Sequence, residues 1–445
     1  MGRYYPAIDW VDDYLKNLGP YIYVREEDHL LIKIPNEAYK LNNTGVSILK
    51  RMLKGEKARD IVDAYPEREK VAEDIHVFFS DLRALLKGCY QEMDERRAVV
   101  KVPFTLGFNT LPVLSEIAVT YRCNLACRFC YAGCGCRKDD DSPELSTGQV
   151  MEILRIIREE AEVPSVSFTG GEPTMRNDLP ALIRHAKQLG MWTNLITNGT
   201  LITKARAGEF RSAGLDSAQV SLEAGHADLH DRIVQRTGAF HQTLSGLRNL
   251  KEAGIRVHTN TTISGLNRDS LQEILDLVKA QGMDKFSMNM IMPQGSALTA
   301  LNDLQIRYSE VGDLVLGIQR RSVELGLEFM WYSPTPICIF NPVVHGLGNK
   351  GCAACDGLLS IAPNGDILPC SSYPRPVGNL LELAGNFRNA WRQGEFAFYQ
   401  RKGFTQDRCK ACEDLAVCNG GCPLYWDAVG IDELEFRRWP LEDIP

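Results

Sequence analysis

Nowhere in this chain of 445 residues does an uninterrupted apolar run approach the roughly 18 residues that a membrane-crossing helix requires. The opening stretch, MGRYYPAIDWVDDYLKN, lacks the apolar segment of a secretory signal. Neither secretion nor a membrane partner is expected, and the expected compartment is the cytoplasm. A bias of charge is missing too. The formal net of -7 is spread over interspersed acids and bases, which disfavours a nucleic-acid or anionic-membrane partner without excluding either. Cysteine is nearly absent from the front: of 14 cysteines only Cys89 precedes Cys123, and none follows Cys422. In a long chain without a secretion signal, cysteines grouped in close sets read as metal ligands rather than disulfides. The length exceeds one ordinary core, so about two or three domains are expected.

What is present begins with Cys123, Cys127 and Cys130 in YRCNLACRFCYAGCGC, a Cys-x3-Cys-x2-Cys triplet directly after a strand-like run. Three thiolates can fix three irons of a 4Fe-4S cluster and leave the fourth open to a ligand that is not protein. A structural zinc is the plain alternative. The spacing, Phe129 before the third cysteine, and Gly170-Gly171-Glu172-Pro173 after a second strand-like run argue against zinc. Together these motifs resemble the radical S-adenosylmethionine (SAM) enzymes. The resemblance implies SAM on the open iron, electron transfer from the reduced cluster, and a 5'-deoxyadenosyl radical that abstracts hydrogen from substrate. An electron donor of ferredoxin or flavodoxin type is implied with it.

From Ser115 the runs SEIAVTYR, PSVSFTGG, WTNLITNG, DSAQVSLE, RVHTNTTI and DKFSMNMIM read as strands, each followed by a helical segment such as GQVMEILRIIREEA. Alternation of this kind argues parallel βα units, an α/β fold with helices outside. The resemblance implies the family's partial (β/α)6 barrel over residues 110–330, with functional residues at the carboxyl ends of the strands. On that carry-over Gly170, Gly171, Glu172 and Pro173 meet the SAM amino group, the glycines sparing room for close backbone approach. Thr197, Asn198, Gly199, Ser221 and Glu223 match ribose-contacting positions, and Arg236 the residue that meets the SAM carboxylate. Asn260 and Thr262 are further candidates. For each of these polar residues the plain alternative is a cap or turn contact at a strand end. Cys134 and Cys136 stand outside the triplet, either incidental or at the mouth of the site.

Ahead of the barrel, YIYVRE, HLLIKIP and EAYKL read as short strands. Asn43 or Thr44 caps a first helix, a second runs from Lys57, and a third places Val71, Ile75, Phe78, Leu82 and Leu85 on one face. That pattern is a small winged-helix-like α+β domain within residues 1–100. It resembles a PqqD-like peptide-recognition element, closest at KLNNTGVSILKRMLKGEKARDIV. The resemblance implies a precursor peptide whose leader adds as a strand to the EAYKL edge, with Tyr39 and Leu41 as candidate contacts.

The last cysteine set runs Cys355, Gly365, Cys370, then Cys409-x2-Cys412-x5-Cys418-x3-Cys422. A zinc ribbon is the alternative; the pattern resembles the SPASM domain, here over residues 331–445, which holds two auxiliary iron-sulfur clusters. LLSIAPNGDILPC reads as a hairpin turning at Asn364-Gly365. The carry-over assigns Cys355, Cys370 and Cys422, with Cys352 or Cys338, to the nearer cluster, and Cys409, Cys412 and Cys418 to the farther. The family's final cysteine is missing, so the farther site is expected to use Asp427, to keep an open iron, or to hold no stable cluster.

The function implied is modification of a ribosomally made precursor peptide by thioether formation, carbon-carbon cross-linking or epimerisation. Action on a protein side chain or on a small molecule such as a tetrapyrrole is the enzyme alternative. A cluster-bearing binding or electron-transfer protein without SAM turnover is the alternative from another class.

Overall fold

The computed structural model describes residues 6–89, 96–100, 105–134 and 143–435. Contacts divide the chain into two units, Met1–Val113 and Leu114–Pro445.

In the first unit the three anticipated strands form as β1 (Ile22–Arg25), β2 (Leu30–Lys33) and β3 (Glu37–Lys40), antiparallel in that order. The unit starts earlier than its strands suggest, with α1 (Val11–Leu18) burying Val11 and Leu15 four residues apart. Helix α2 (Asn43–Leu53) is capped by Asn42, not by Asn43 or Thr44: its side chain accepts from the Gly45 amide at 2.7 Å. Asn42 alone of the three keeps the extended backbone that a cap needs. After α3 (Ala58–Asp63), the apolar face of α4 (Arg68–Leu86) is rotated from the expected one. Ala72, Ile75, Phe79 and Leu82 are buried, while Val71 and Phe78 only flank them. Phe79 is fully enclosed by the helices. Its replacement by alanine should destabilise this unit by about 3–5 kcal/mol, measured by denaturant unfolding of the unit's own fluorescence or exchange signal. A buried Arg25–Asp28 pair at 2.7 Å holds residues 110–112, the Arg25 guanidinium donating to the Leu111 and Pro112 carbonyls and the Asp28 carboxylate accepting from the Thr110 amide.

The second unit realises all six expected strands: β4 (Leu114–Thr120), β5 (Ser165–Gly170), β6 (Trp192–Thr197), β7 (Ser217–Ser221), β8 (Arg256–Ile263) and β9 (Lys285–Met290). Between them run α5 (Thr147–Glu159), α6 (Leu179–Gln188), α7 (Lys204–Ala213), the pair α8 (Ala227–Val234) and α9 (Ala239–Glu252), and α10 (Leu271–Ala280). A short α11 (Leu301–Leu304) and the long α12 (Tyr308–Leu325) lead to β10 (Glu328–Trp331), a seventh parallel strand not anticipated from its four residues. On the other edge, β11 (Leu358–Ile361) pairs parallel with β4 and turns at Gly365, φ +88°, into antiparallel β12 (Asp366–Leu368) and β13 (Gly378–Asn379). The hairpin expected at Asn364-Gly365 therefore extends the barrel sheet. Strand order is linear, from β10 through β4 to β13, so the sheet is open rather than closed.

Register explains the mixed polarity of these strands. Ile117, Phe168, Leu195 and Ala218 lie in one row and are buried. Glu116, Ser167, Asn194 and Ser217 form the adjacent row, on the opposite face by the two-residue period. There Asn194 donates to Ser167 at 3.2 Å and accepts from Ser217 at 2.8 Å. The sheet thus presents apolar side chains to its helices and a hydrogen-bonded polar lining to the other side.

Candidate active site

The chain leaves β4 into the loop that carries the cysteine triplet. Backbone bonds help shape it: the Ala126 and Arg128 amides donate to the Val234 and Ile233 carbonyls, and the Ser296 amide donates to the Cys130 carbonyl at 2.9 Å. Cys123, Cys127 and Phe129 pack against Leu125, Ala224, Leu229 and Ile233. Burial pushes the Cys123 thiol up to about 11 and raises the Cys127 thiol well above its ordinary value. Cys134 is buried beside Cys130 and holds its thiol below the usual range through a hydrogen bond, so Cys134 belongs to the packing of this loop. Cys136 lies outside the described residues. Thiolates become stable in an apolar setting when a cation compensates them, so this half-buried, all-thiol set fits iron. Among the described residues no three Cys, His, Asp or Glu side chains close on a single ion; an iron-sulfur cluster asks instead for one thiolate per iron.

Gly170 and Gly171 lie against this loop. A Cβ on Gly170, which has φ +136°, would stand 2.0 Å from the Thr120 carbonyl oxygen, and one on Gly171 would stand 2.4 Å from that of Arg122. The Gly171 and Glu172 amides donate to those same carbonyls at 2.8 and 2.9 Å. What demands glycine here is therefore the chain's own backbone at the exit of β4, in addition to any ligand.

Glu172 is fully buried and spends both carboxylate oxygens inside the fold. One accepts from the Thr174 hydroxyl and amide and from the Thr197 hydroxyl at 2.7 Å, the other from the Asn198 amide at 2.8 Å. Burial raises its carboxyl in spite of these donors. In this structure it ties the ends of β5 and β6 together, the strand-end role that the plain alternative describes. Asn198 extends the tie to the cysteine loop, donating to the Asn124 side chain at 2.9 Å. Asn124 went unnoticed in the sequence because nothing distinguishes it from a turn asparagine.

A family model, "Radical SAM superfamily", matches residues 117–279. An AdoMet-dependent heme synthase of Oleidesulfovibrio alaskensis is 30% identical over 329 residues, 68% of this chain and 80% of that one. The chain belongs to the radical SAM superfamily.

This radical SAM enzyme uses a [4Fe-4S] cluster and SAM, as the superfamily does. Its other relatives include a PqqA peptide cyclase of Rhodopseudomonas palustris, 26% identical over 325 residues, 70% of this chain and 82% of that one. Among solved structures, Streptococcus suis SuiB bound to S-adenosylmethionine shares the fold, with a TM-score of 0.65 at 19% identity over 92% of this chain and 95% of that chain. SuiB bound to precursor peptide SuiA gives the same TM-score of 0.65 at 18% identity and the same coverage.

The remaining SAM candidates of the enzyme lie at the end of β7, within β8 and, for Arg236, in the turn between α8 and α9. Ser221 closes β7, and Glu223 follows it, buried, its carboxylate accepting from the Thr262 amide at 2.9 Å and pushed up to about 8 by burial. Arg236 donates to the Asn124 carbonyl at 3.2 Å, which brings its guanidinium to the cysteine loop. Asn260 accepts from the Ser287 hydroxyl and donates to Asn289, each at 2.8 Å. Glu116, on the polar face of β4, escaped the sequence reading although a lone acid in SEIAVT was the signal for it. It accepts from Ser360 at 2.7 Å and from Ser371, which also bonds Tyr131, the residue after Cys130.

The auxiliary cysteines fall into two groups. Cys370 is within electrostatic reach of Cys352 and Cys422, and Cys355 of Cys352; burial pushes all four thiols up, Cys422 to about 12. Cys355 occupies a left-handed backbone, φ +46°, that cysteine seldom adopts. Beneath this group the fully buried Lys402 donates to the Cys352 carbonyl at 2.8 Å and to the Asp356 carboxylate at 2.6 Å. The other group is Cys409, Cys412, Cys418 and Cys338. Of the two cysteines left open for the nearer site, Cys352 thus stands there and Cys338 elsewhere. Asp427 lies near Cys422 and Tyr373, on the side of the nearer group. Among the described residues no helix is long and apolar enough to cross a membrane.

Proposed function

We propose that this radical SAM enzyme modifies a ribosomally made precursor peptide whose leader is captured by the unit Met1–Val113. Cys123, Cys127 and Cys130 would hold the cluster that SAM completes, with Arg236, Asn198, Ser221, Glu223 and the backbone of residues 170–173 around the cofactor. When bound, that pair supplies a carbon-centred radical able to abstract hydrogen from the peptide. Cys352, Cys355, Cys370 and Cys422 would hold the nearer auxiliary cluster, and a ferredoxin- or flavodoxin-type donor would supply electrons.

The observation that carries the peptide reading is the edge strand β3. It has β2 on one side and no strand on the other among the described residues. The Leu41 amide donates to the His29 carbonyl, towards β2. Because successive residues of a strand address opposite neighbours, the Ala38 and Lys40 amides are turned to the open edge. A leader added there would gain main-chain hydrogen bonds. Tyr39 and Leu41 pack partly on the unit's own helical core, which leaves the backbone as the principal contact. The PqqA peptide cyclase relative and the SuiB structure with its precursor peptide support the same substrate class.

Ala38→Pro in the full-length enzyme should weaken leader affinity by about fivefold to tenfold, one lost ladder bond or slightly more, whereas Tyr39→Ala should change it less. Titration of labelled leader by anisotropy measures this. Equal processing of leaderless core peptide and intact precursor, read by mass spectrometry, would refute the capture role. A second reading, action on a tetrapyrrole-type small molecule, is favoured by the heme synthase relative; it gains if SAM is cleaved but no mass change appears in a candidate precursor peptide.

A further inference from the structure

Pro336, Ile337 and Cys338 lie against the segment that carries Cys418. The Ile337 amide donates to the Cys418 sulfur at 3.3 Å. A Cβ on Gly421 would meet Pro336 Cγ at 2.9 Å, and one on Gly420 would meet Cys409 Cβ at 3.8 Å. The Cys412 amide donates to the Cys409 carbonyl at 3.0 Å, and the Cys418 amide to the Asp414 carbonyl at 2.8 Å, which winds those cysteines into one compact turn. Cys338 is exposed at its surface, yet the charges its thiol faces are those of Cys418, Cys409 and Cys412.

From this packing we propose that Cys338 is the fourth ligand of the farther cluster, closing a four-thiolate site with Cys409, Cys412 and Cys418. The ligand that the seven-cysteine pattern supplies from its end is here supplied from upstream of its start. The chain can do this because the stretch after β10 returns past the cysteine-rich turn before entering β11. With four thiolates for four irons, no coordination position is left for Asp427 or for a substrate atom. The inference rests on the proposed reading only in taking these thiols as iron ligands, and its test needs no peptide.

Anaerobically reconstituted enzyme should carry about 12 irons per chain, the sum of three four-iron clusters. In a Cys123/Cys127/Cys130→Ala background, which removes the cluster with an open iron, added cyanide should leave the EPR spectrum of the reduced auxiliary clusters unchanged. Adding Cys338→Ala to that background should either lower the iron count by about four or produce one cluster whose EPR and Mössbauer signals respond to cyanide. Adding Asp427→Ala instead should do neither. The signal of the Cys352, Cys355, Cys370 and Cys422 cluster, retained in both variants, reports that the domain remains folded. The proposal is overturned if Cys338→Ala leaves iron content and spectra unaltered, if the parent already binds cyanide, or if the site proves to hold zinc. Failure of the peptide-modification assay would touch the substrate reading and leave these spectra as they are.

Discussion

Replacing Cys123, Cys127 and Cys130 together with alanine should abolish formation of 5'-deoxyadenosine and lower the iron content by about four per chain. The auxiliary clusters should persist. The loop is held by main-chain bonds to Ile233, Val234 and Ser296 and by Asn198 and Arg236 at Asn124, none of which a thiol supplies, so alanine removes the ligands and, apart from the long Leu125 amide contact to the Cys123 sulfur, leaves the scaffold. The other two thiol groups draw on residues 338–422 and share no ligand with the triplet. Cleavage is read by chromatography after chemical reduction, and iron by colorimetric assay. Undiminished 5'-deoxyadenosine from the triple variant would remove the triplet from the chemistry altogether.

Gly171→Ala is expected to be nearly as severe, although it deletes no ligand. Its added methyl group would overlap the Arg122 and Tyr121 carbonyl oxygens at 2.4 and 2.6 Å. Both are backbone atoms immediately before Cys123, and neither can move by a rotamer change. The displacement passes directly to the first cysteine, and a cluster site tolerates little error in where its thiolates stand. Loss of at least about 100-fold in SAM cleavage is expected, as misplacement by an ångström can cost, together with loss of the first cluster's EPR signal. Gly148→Ala is the control: nothing lies within 4 Å of its added Cβ in α5, so stability should hold or rise by up to about 1 kcal/mol. A Gly171→Ala enzyme with full iron and wild-type cleavage would show that the β4 exit is softer than its packing implies.

How much of this could be read in advance depended on the range of the forces involved. The six barrel strands were legible because each carries its own β-forming run and is followed by a helix of its own. β10 was not, since four residues of EFMW have no period to display and become a strand by pairing with β9. The stripe on α4 was legible as a stripe but not in its phase: Phe78 and Phe79 are adjacent, and the helices they pack against decide which is enclosed. Glu172 shows a different limit. Its motif marked it as important, but only the fold reveals that Thr174, Thr197 and Asn198 consume its oxygens.

By itself the sequence determined the class of chemistry, because a Cys-x3-Cys-x2-Cys triplet on one short loop brings its thiols together whatever the remainder does. It likewise determined the hairpin at Asn364-Gly365 and the alternation of strands and helices, all set by neighbours a few residues apart. Only the tertiary structure decided which distant thiol joins which group. Cys338 and Cys352 are 14 residues apart and equally plausible as ligands on paper. They are separated by the path of the chain, which brings residues 336–338 back against Cys418 and buries Cys352 over Lys402. A ligand set closed across such gaps depends on where the backbone returns, and that is fixed by sheet pairing and packing rather than by spacing.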